Sequence, residues 1–99
     1  MPQMPDDKTI DKMESLLNVA SDFTRLKILY AISDAERSVN EIVDSVGASQ
    51  SLVSHQLQVL RNAHLVSTRK KGTHVYYSLD DDHVTRLLTL VFEHVNENK

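Results

Sequence analysis

The sequence predicts a mainly α-helical domain that carries one small β-hairpin. Three observations support this. Apolar residues recur at spacings of three and four along most of the chain. A Ser-x-x-Glu string, a glycine and a further serine frame two short helices in the middle of the chain. Only residues 65–79 switch to β-branched and aromatic residues around a turn.

The first seven residues, Met1 to Asp7, hold two prolines and two acids. They read as a disordered tail, with the domain proper over residues 9–99 and the tail over 1–8. Ile10, Met13, Leu17 and Ala20 form one stripe of a first helix, widened by Leu16 and Val19. A second helix is expected to start at Ser21 or Asp22, both good N-caps, and to run to about Ser33. Its apolar residues, Phe23, Leu26, Ile28, Leu29 and Ile32, lie on several sides, which predicts a buried helix.

Ser38-Val39-Asn40-Glu41 is a capping box for a third helix whose apolar side is Ile42, Val43 and Val46. Gly47 is a helix-ending residue. Ser49 then caps a fourth helix reaching about Ala63, with Val53, Leu57 and Leu60 on its inner stripe. Gln50, Ser51, Ser54, His55, Gln58 and Arg61 line its other side. Two helices joined by a short turn containing glycine make a helix-turn-helix. The polar outer face of the second helix suits reading base edges in a major groove.

Leu65–Arg69 and His74–Leu79 read as strands, with Lys70-Lys71-Gly72-Thr73 as their turn. A hairpin directly after a recognition helix is a wing, and Arg69, Lys70 and Lys71 then lie on DNA phosphates. The fold expected is therefore a winged helix-turn-helix. Charge agrees with this. The net charge is −3, yet residues 45–79 carry Arg61, Arg69, Lys70 and Lys71 and no acid, a local balance of +4. Local charge sets the field that a phosphate backbone meets.

Asp80-Asp81-Asp82 opens a last helix, with acids at its positive end. Val84, Leu88, Val91 and Val95 form one stripe. A second stripe reads His83, Leu87, Leu90, His94, Glu97 at spacings of 4, 3, 4 and 3, the heptad pattern of helix–helix contact. Leu87 and Leu90 are its apolar middle. His83 and His94 share a face but lie about 16 Å apart along one helix, too far for one ion. An antiparallel pair of such helices removes the difficulty. It yields two symmetric sites, each with Asp81 and His83 from one chain and His94 and Glu97 from the other. This set of two imidazoles and two carboxylates suits Zn(II), with Co(II) or Ni(II) as further possibilities. A chain of 99 residues also buries only about 60–65% of its unfolded surface, so a partner subunit adds needed burial. The homodimer is expected to form through the first and last helices.

Composition bounds the alternatives. With 0 Cys there is neither disulfide nor thiolate metal site. No apolar run approaches the ~20 residues of a membrane span, and the start lacks the order of a signal peptide, so a cytoplasmic protein without membrane contact is expected. Two other readings remain open: a winged-helix DNA-binding protein whose last helix only dimerises and which answers a non-metal signal, and a small zinc hydrolase, which would need an open coordination position and a nearby base.

Ala20-Ser21-Asp22-Phe23-Thr24-Arg25-Leu26-Lys27-Ile28-Leu29 resembles the second-helix signature of the ArsR/SmtB metal-sensing repressors. Ser49 to Leu57, with Leu60 and His64-Leu65-Val66, is similar to their recognition helix and its exit. Gly72 to Leu79 resembles their wing. Asp81-x-His83-x10-His94-x2-Glu97 is similar to the inter-subunit zinc site of the SmtB/CzrA-like branch. The resemblance implies an apo dimer on double-stranded operator DNA, an inverted repeat, released by zinc to free metal efflux or sequestration genes. It also implies a relay in which His94 reaches the backbone carbonyl of His64. The family's Cys-x-Cys site is absent; Ser38 and Asn40 stand at those positions.

Overall fold

The computed structural model describes residues 1–97, in the order α1 (Asp7–Ala20), α2 (Phe23–Ala31), β1 (Arg37–Ser38), α3 (Val39–Val46), α4 (Gln50–Asn62), β2 (Val66–Lys71), β3 (His74–Leu79) and α5 (Asp82–Glu97). This is a winged helix-turn-helix. Side-chain caps start the first four helices. Asp6 accepts from the Thr9 N–H and Asp22 from the Arg25 N–H. Ser38 and Glu41 exchange both bonds of the capping box, and Ser49 accepts from the Leu52 N–H. Helix α1 therefore begins at Asp7, inside the segment read as tail.

Gly47 ends α3 at φ 73°, a left-handed conformation that costs glycine nothing, and its N–H donates to Val43 at 2.9 Å. Ala48 and Ser49 complete the turn into α4. At the far end of α4 the same geometry falls on a histidine. His64 has φ 60°, its N–H donates to Arg61, and the Leu65 N–H reaches back to Leu60. These two bonds make a Schellman ending with His64 in the left-handed place.

The core lies between α2, α3, α4 and the start of β2. Ile28, Leu29, Ile32, Ile42, Val46, Val53, Leu57, Leu60, Leu65 and Val66 are all buried. Charged side chains staple the elements around it. Arg25 on α2 donates through Nε to the Val19 carbonyl ending α1 (2.6 Å) and through a terminal nitrogen to Gln56 on α4 (2.9 Å). Lys27 donates to the Val46 carbonyl at the end of α3 (2.7 Å).

Three expectations change. Helix α2 ends at Ala31, and it is buried on one side only: Phe23 is 78% exposed and Tyr30 54%. The hairpin is part of a three-stranded sheet of order β1-β3-β2, because Arg37 and Ser38 pair with Tyr77 and Tyr76. A two-residue strand carries no periodicity, so nothing in the sequence announced it. The wing strands also run further, pairing Lys71 with His74 and leaving only Gly72 and Thr73 as the loop. Gly72, at φ 62°, takes the first loop position, where a type II′ hairpin turn favours glycine.

The protomer is elongated. Its radius of gyration is 14.8 Å, against about 13 Å for a compact chain of this size. Helix α1 buries only Ala20 and leaves Ile10, Met13, Leu16 and Leu17 exposed. Helix α5 buries only Val84 and leaves Leu90, Val91, Phe92 and Val95 exposed.

Candidate functional site

The recognition surface is built by packing. Val53, Leu57 and Leu60 hold one side of α4 against the core. The helical period then turns Gln50, Ser51, Ser54, His55, Gln58 and Arg61 outward, and all six are exposed. Gln58 donates to Asn62 one turn on (2.9 Å). Serine, glutamine, histidine and arginine on one open helix face offer both donors and acceptors to base edges.

The wing stands beside this surface. Lys70 and Lys71 are exposed at its tip. Arg69 is placed differently. Its guanidinium grips the Glu36 carboxylate through two nitrogens, with Nε 3.1 Å from Oε2, and lies over the Tyr76 ring. This ion pair holds the Glu36 carboxyl below the usual carboxylate range, chiefly through the hydrogen bond from Arg69. The sequence offered no sign of it, since 33 residues separate the partners and the strand that aligns them has two residues.

The proposed ligand residues occupy both ends of α5. Asp81 caps the helix through Oδ1, which accepts from the Val84 N–H at 3.2 Å, and its Oδ2 lies 3.6 Å from His83 Nδ1. The Val84 N–H, and less strongly His83, hold the Asp81 carboxyl below its ordinary value. His94 and Glu97 lie on the exposed last turns. Eleven residues of helix separate the two histidines, about 16 Å. Among the described residues no three His, Asp or Glu side chains of one protomer converge into a metal site. Each end of α5 thus presents nitrogen and oxygen donors to solvent, Asp81 and His83 at its start and His94 and Glu97 at its end, and Leu90 between them is exposed too.

A short hydrogen-bonded path joins the start of α5 to the end of α4. The Asp80 N–H donates to the Leu65 carbonyl (3.0 Å), next to His64, and Ser67 donates to the Asp80 carboxylate (2.6 Å).

Residues 22–68 match the family profile described as "Bacterial regulatory protein, arsR family". A cadmium resistance transcriptional regulatory protein CadC homolog from Staphylococcus aureus is 41% identical over 78 residues, covering 78% of this chain and 64% of that protein. A transcriptional repressor SmtB homolog from Synechocystis is 37% identical over 87 residues, covering 88% of this chain and 66% of that protein. The chain belongs to the arsR family of bacterial regulatory proteins. Among solved structures, this arsR-family chain is similar to a homodimeric winged helix-turn-helix DNA-binding domain from Mycobacterium bovis, a possible ArsR-family regulator. The TM-score is 0.85 and the identity 30%, over 99% of this chain and 93% of that one.

The chain spans about two thirds, 64–66%, of the length of the curated relatives it matches first. The family match runs from the cap of α2 into β2 and stops before α5. A family of regulators leaves the hydrolase alternative without support. Among the described residues no helix is long and apolar enough to cross a membrane.

Proposed function

We propose that this arsR-family chain is a metal-responsive transcriptional repressor that acts as a homodimer. Its metal-free form holds operator DNA, and a divalent cation bound between two α5 helices releases it. The observation that carries this reading is the α5 seam. His83 with Asp81 at one end and His94 with Glu97 at the other flank Leu87 and Leu90 on a helix whose apolar face is uncovered.

Antiparallel pairing of two such helices would bury the leucines and bring Asp81 and His83 of one protomer to His94 and Glu97 of the other. The M. bovis domain is homodimeric, which supports a dimer here. The name of the S. aureus relative speaks of cadmium resistance, which supports a metal as the signal. With 0 Cys this chain offers no thiolate, and the residues at the ends of α5 are nitrogen and oxygen donors, so Zn(II) fits better than a thiophilic ion, with Co(II) and Ni(II) next. The ion would supply a cross-link between the two helices. The protein's own part is to hold Asp81 in place through the Val84 N–H and to tie Asp80 to the exit of the recognition helix. A bond from His94 to the His64 carbonyl would complete that coupling.

On DNA, Gln50, Ser51, Ser54, His55 and Gln58 would face bases, with Arg61, Lys70 and Lys71 on phosphates of an inverted repeat. The test uses a duplex selected from a random pool by the full chain in chelator, followed by anisotropy with Zn(II), Co(II) and Ni(II). The expected outcome is a loss of affinity of roughly 5- to 150-fold, the usual range of allosteric coupling. Affinity that no ion changes would refute the sensor.

A further inference from the structure

The Glu36–Arg69 pair offers an inference that rests on the DNA-binding reading. The sheet register puts both residues on one face. Ser38 and Arg69 each pair directly with Tyr76, from opposite sides, and Glu36 precedes Ser38 by two residues. Lys71 and His74, two positions along their strands from Arg69 and Tyr76, share this face. It is the outer face, since Val66 and Leu79 on the other side pack on the core.

A carboxylate presents two oxygens to a guanidinium much as a phosphate does. Glu36 therefore holds Arg69 in the arrangement a DNA backbone would otherwise take. Both side chains remain open to solvent, at 57% and 37% exposure. An exposed pair is weak enough for another anion to compete with it. We propose that Glu36 is an internal competitor for the DNA backbone, which withholds Arg69 from phosphate and so weakens the sequence-independent grip of the wing.

The experiment measures binding of the full chain, in chelator, to a labelled mixed-sequence duplex between about 50 and 200 mM salt. Glu36→Gln is expected to tighten binding roughly three- to tenfold at the low end and to steepen the log–log salt slope by about 0.9, one added phosphate contact. Adding Arg69→Gln to Glu36→Gln should return the slope to that of the wild type. The same change in the unmutated chain should lower the slope much less. Asp44→Asn removes an exposed acid on α3 and controls for net charge; it is expected to leave the slope unchanged. A Glu36→Gln chain that binds more weakly, or with the wild-type slope, overturns the proposal, as does an equal gain from Asp44→Asn. A wild-type chain that binds no duplex at low salt overturns the DNA-binding reading itself, and the proposal with it.

Discussion

Glu41 acts at the start of α3 by accepting from the Ser38 N–H at 2.9 Å, while Ser38 accepts from the Glu41 N–H. The first of these bonds holds the Glu41 carboxyl below its ordinary value, followed by the Ser38 side chain. A carboxyl with a depressed folded pKa stabilises the fold above its unfolded value, about 4.3, and loses that contribution as pH falls through the folded one. Glu41→Gln is therefore expected to lower the melting temperature at pH 6 and to melt together with the wild type once pH is well below 4. Thermal scans by circular dichroism across that range check it. A gap that widens in acid would contradict the capping role. This box was legible in the sequence because all its partners lie within four residues. The grip of Glu36 on Arg69 was not, because it depends on a long-range alignment that no local pattern encodes.

Among the elements, the helices were the most legible and the small sheet the least. Asp22, Ser38 and Ser49 announced their helices, and Gly47 its stop, because each satisfies backbone groups of its own neighbourhood. Helix α2 misled through its composition. Apolar residues on several of its sides suggest burial, yet Phe23, Leu26 and Tyr30 are exposed, and Tyr30 stacks on Phe92 of α5 at 5.5 Å. These residues line an open groove between α1, α2 and α5. The wing was legible in kind, but its strands run to Lys71 and His74. That pairing places Lys70 and Lys71 in a paired strand rather than in the loop. Replacing both with alanine is expected to weaken binding to all duplexes alike and to flatten the salt slope by up to ~2. Anisotropy at several salt concentrations measures it, and an unchanged slope would remove the wing tip from the phosphate contacts.

At the scale of the whole molecule, one protomer leaves much apolar surface uncovered. Exposed apolar side chains on α1 and α5 and a radius of gyration of 14.8 Å accord with the proposed pairing of two copies. Leu90 is 64% exposed and sits in the middle of the seam. Leu90→Glu would set two carboxylates against each other near the dimer axis. It should shift the protein to monomers in sedimentation equilibrium, while the circular dichroism of the α2–α4 core is retained. A dimer undisturbed by this change would place the interface elsewhere.

The central claim is that each metal site is shared between two chains, and exchange of two mutants tests it most directly. A His83→Ala dimer lacks one ligand in both sites, and so does a His94→Ala dimer. In a mixed dimer one site loses both histidines. The other takes His83 from the His94→Ala chain and His94 from the His83→Ala chain, and is whole. Calorimetric titration of Zn(II) into the exchanged mixture, with exchange verified by native mass spectrometry, should recover one tight site per mixed dimer that neither parent shows. If each site lay within a single chain, every chain would remain broken, and the absence of any recovered tight site would contradict the shared-site account.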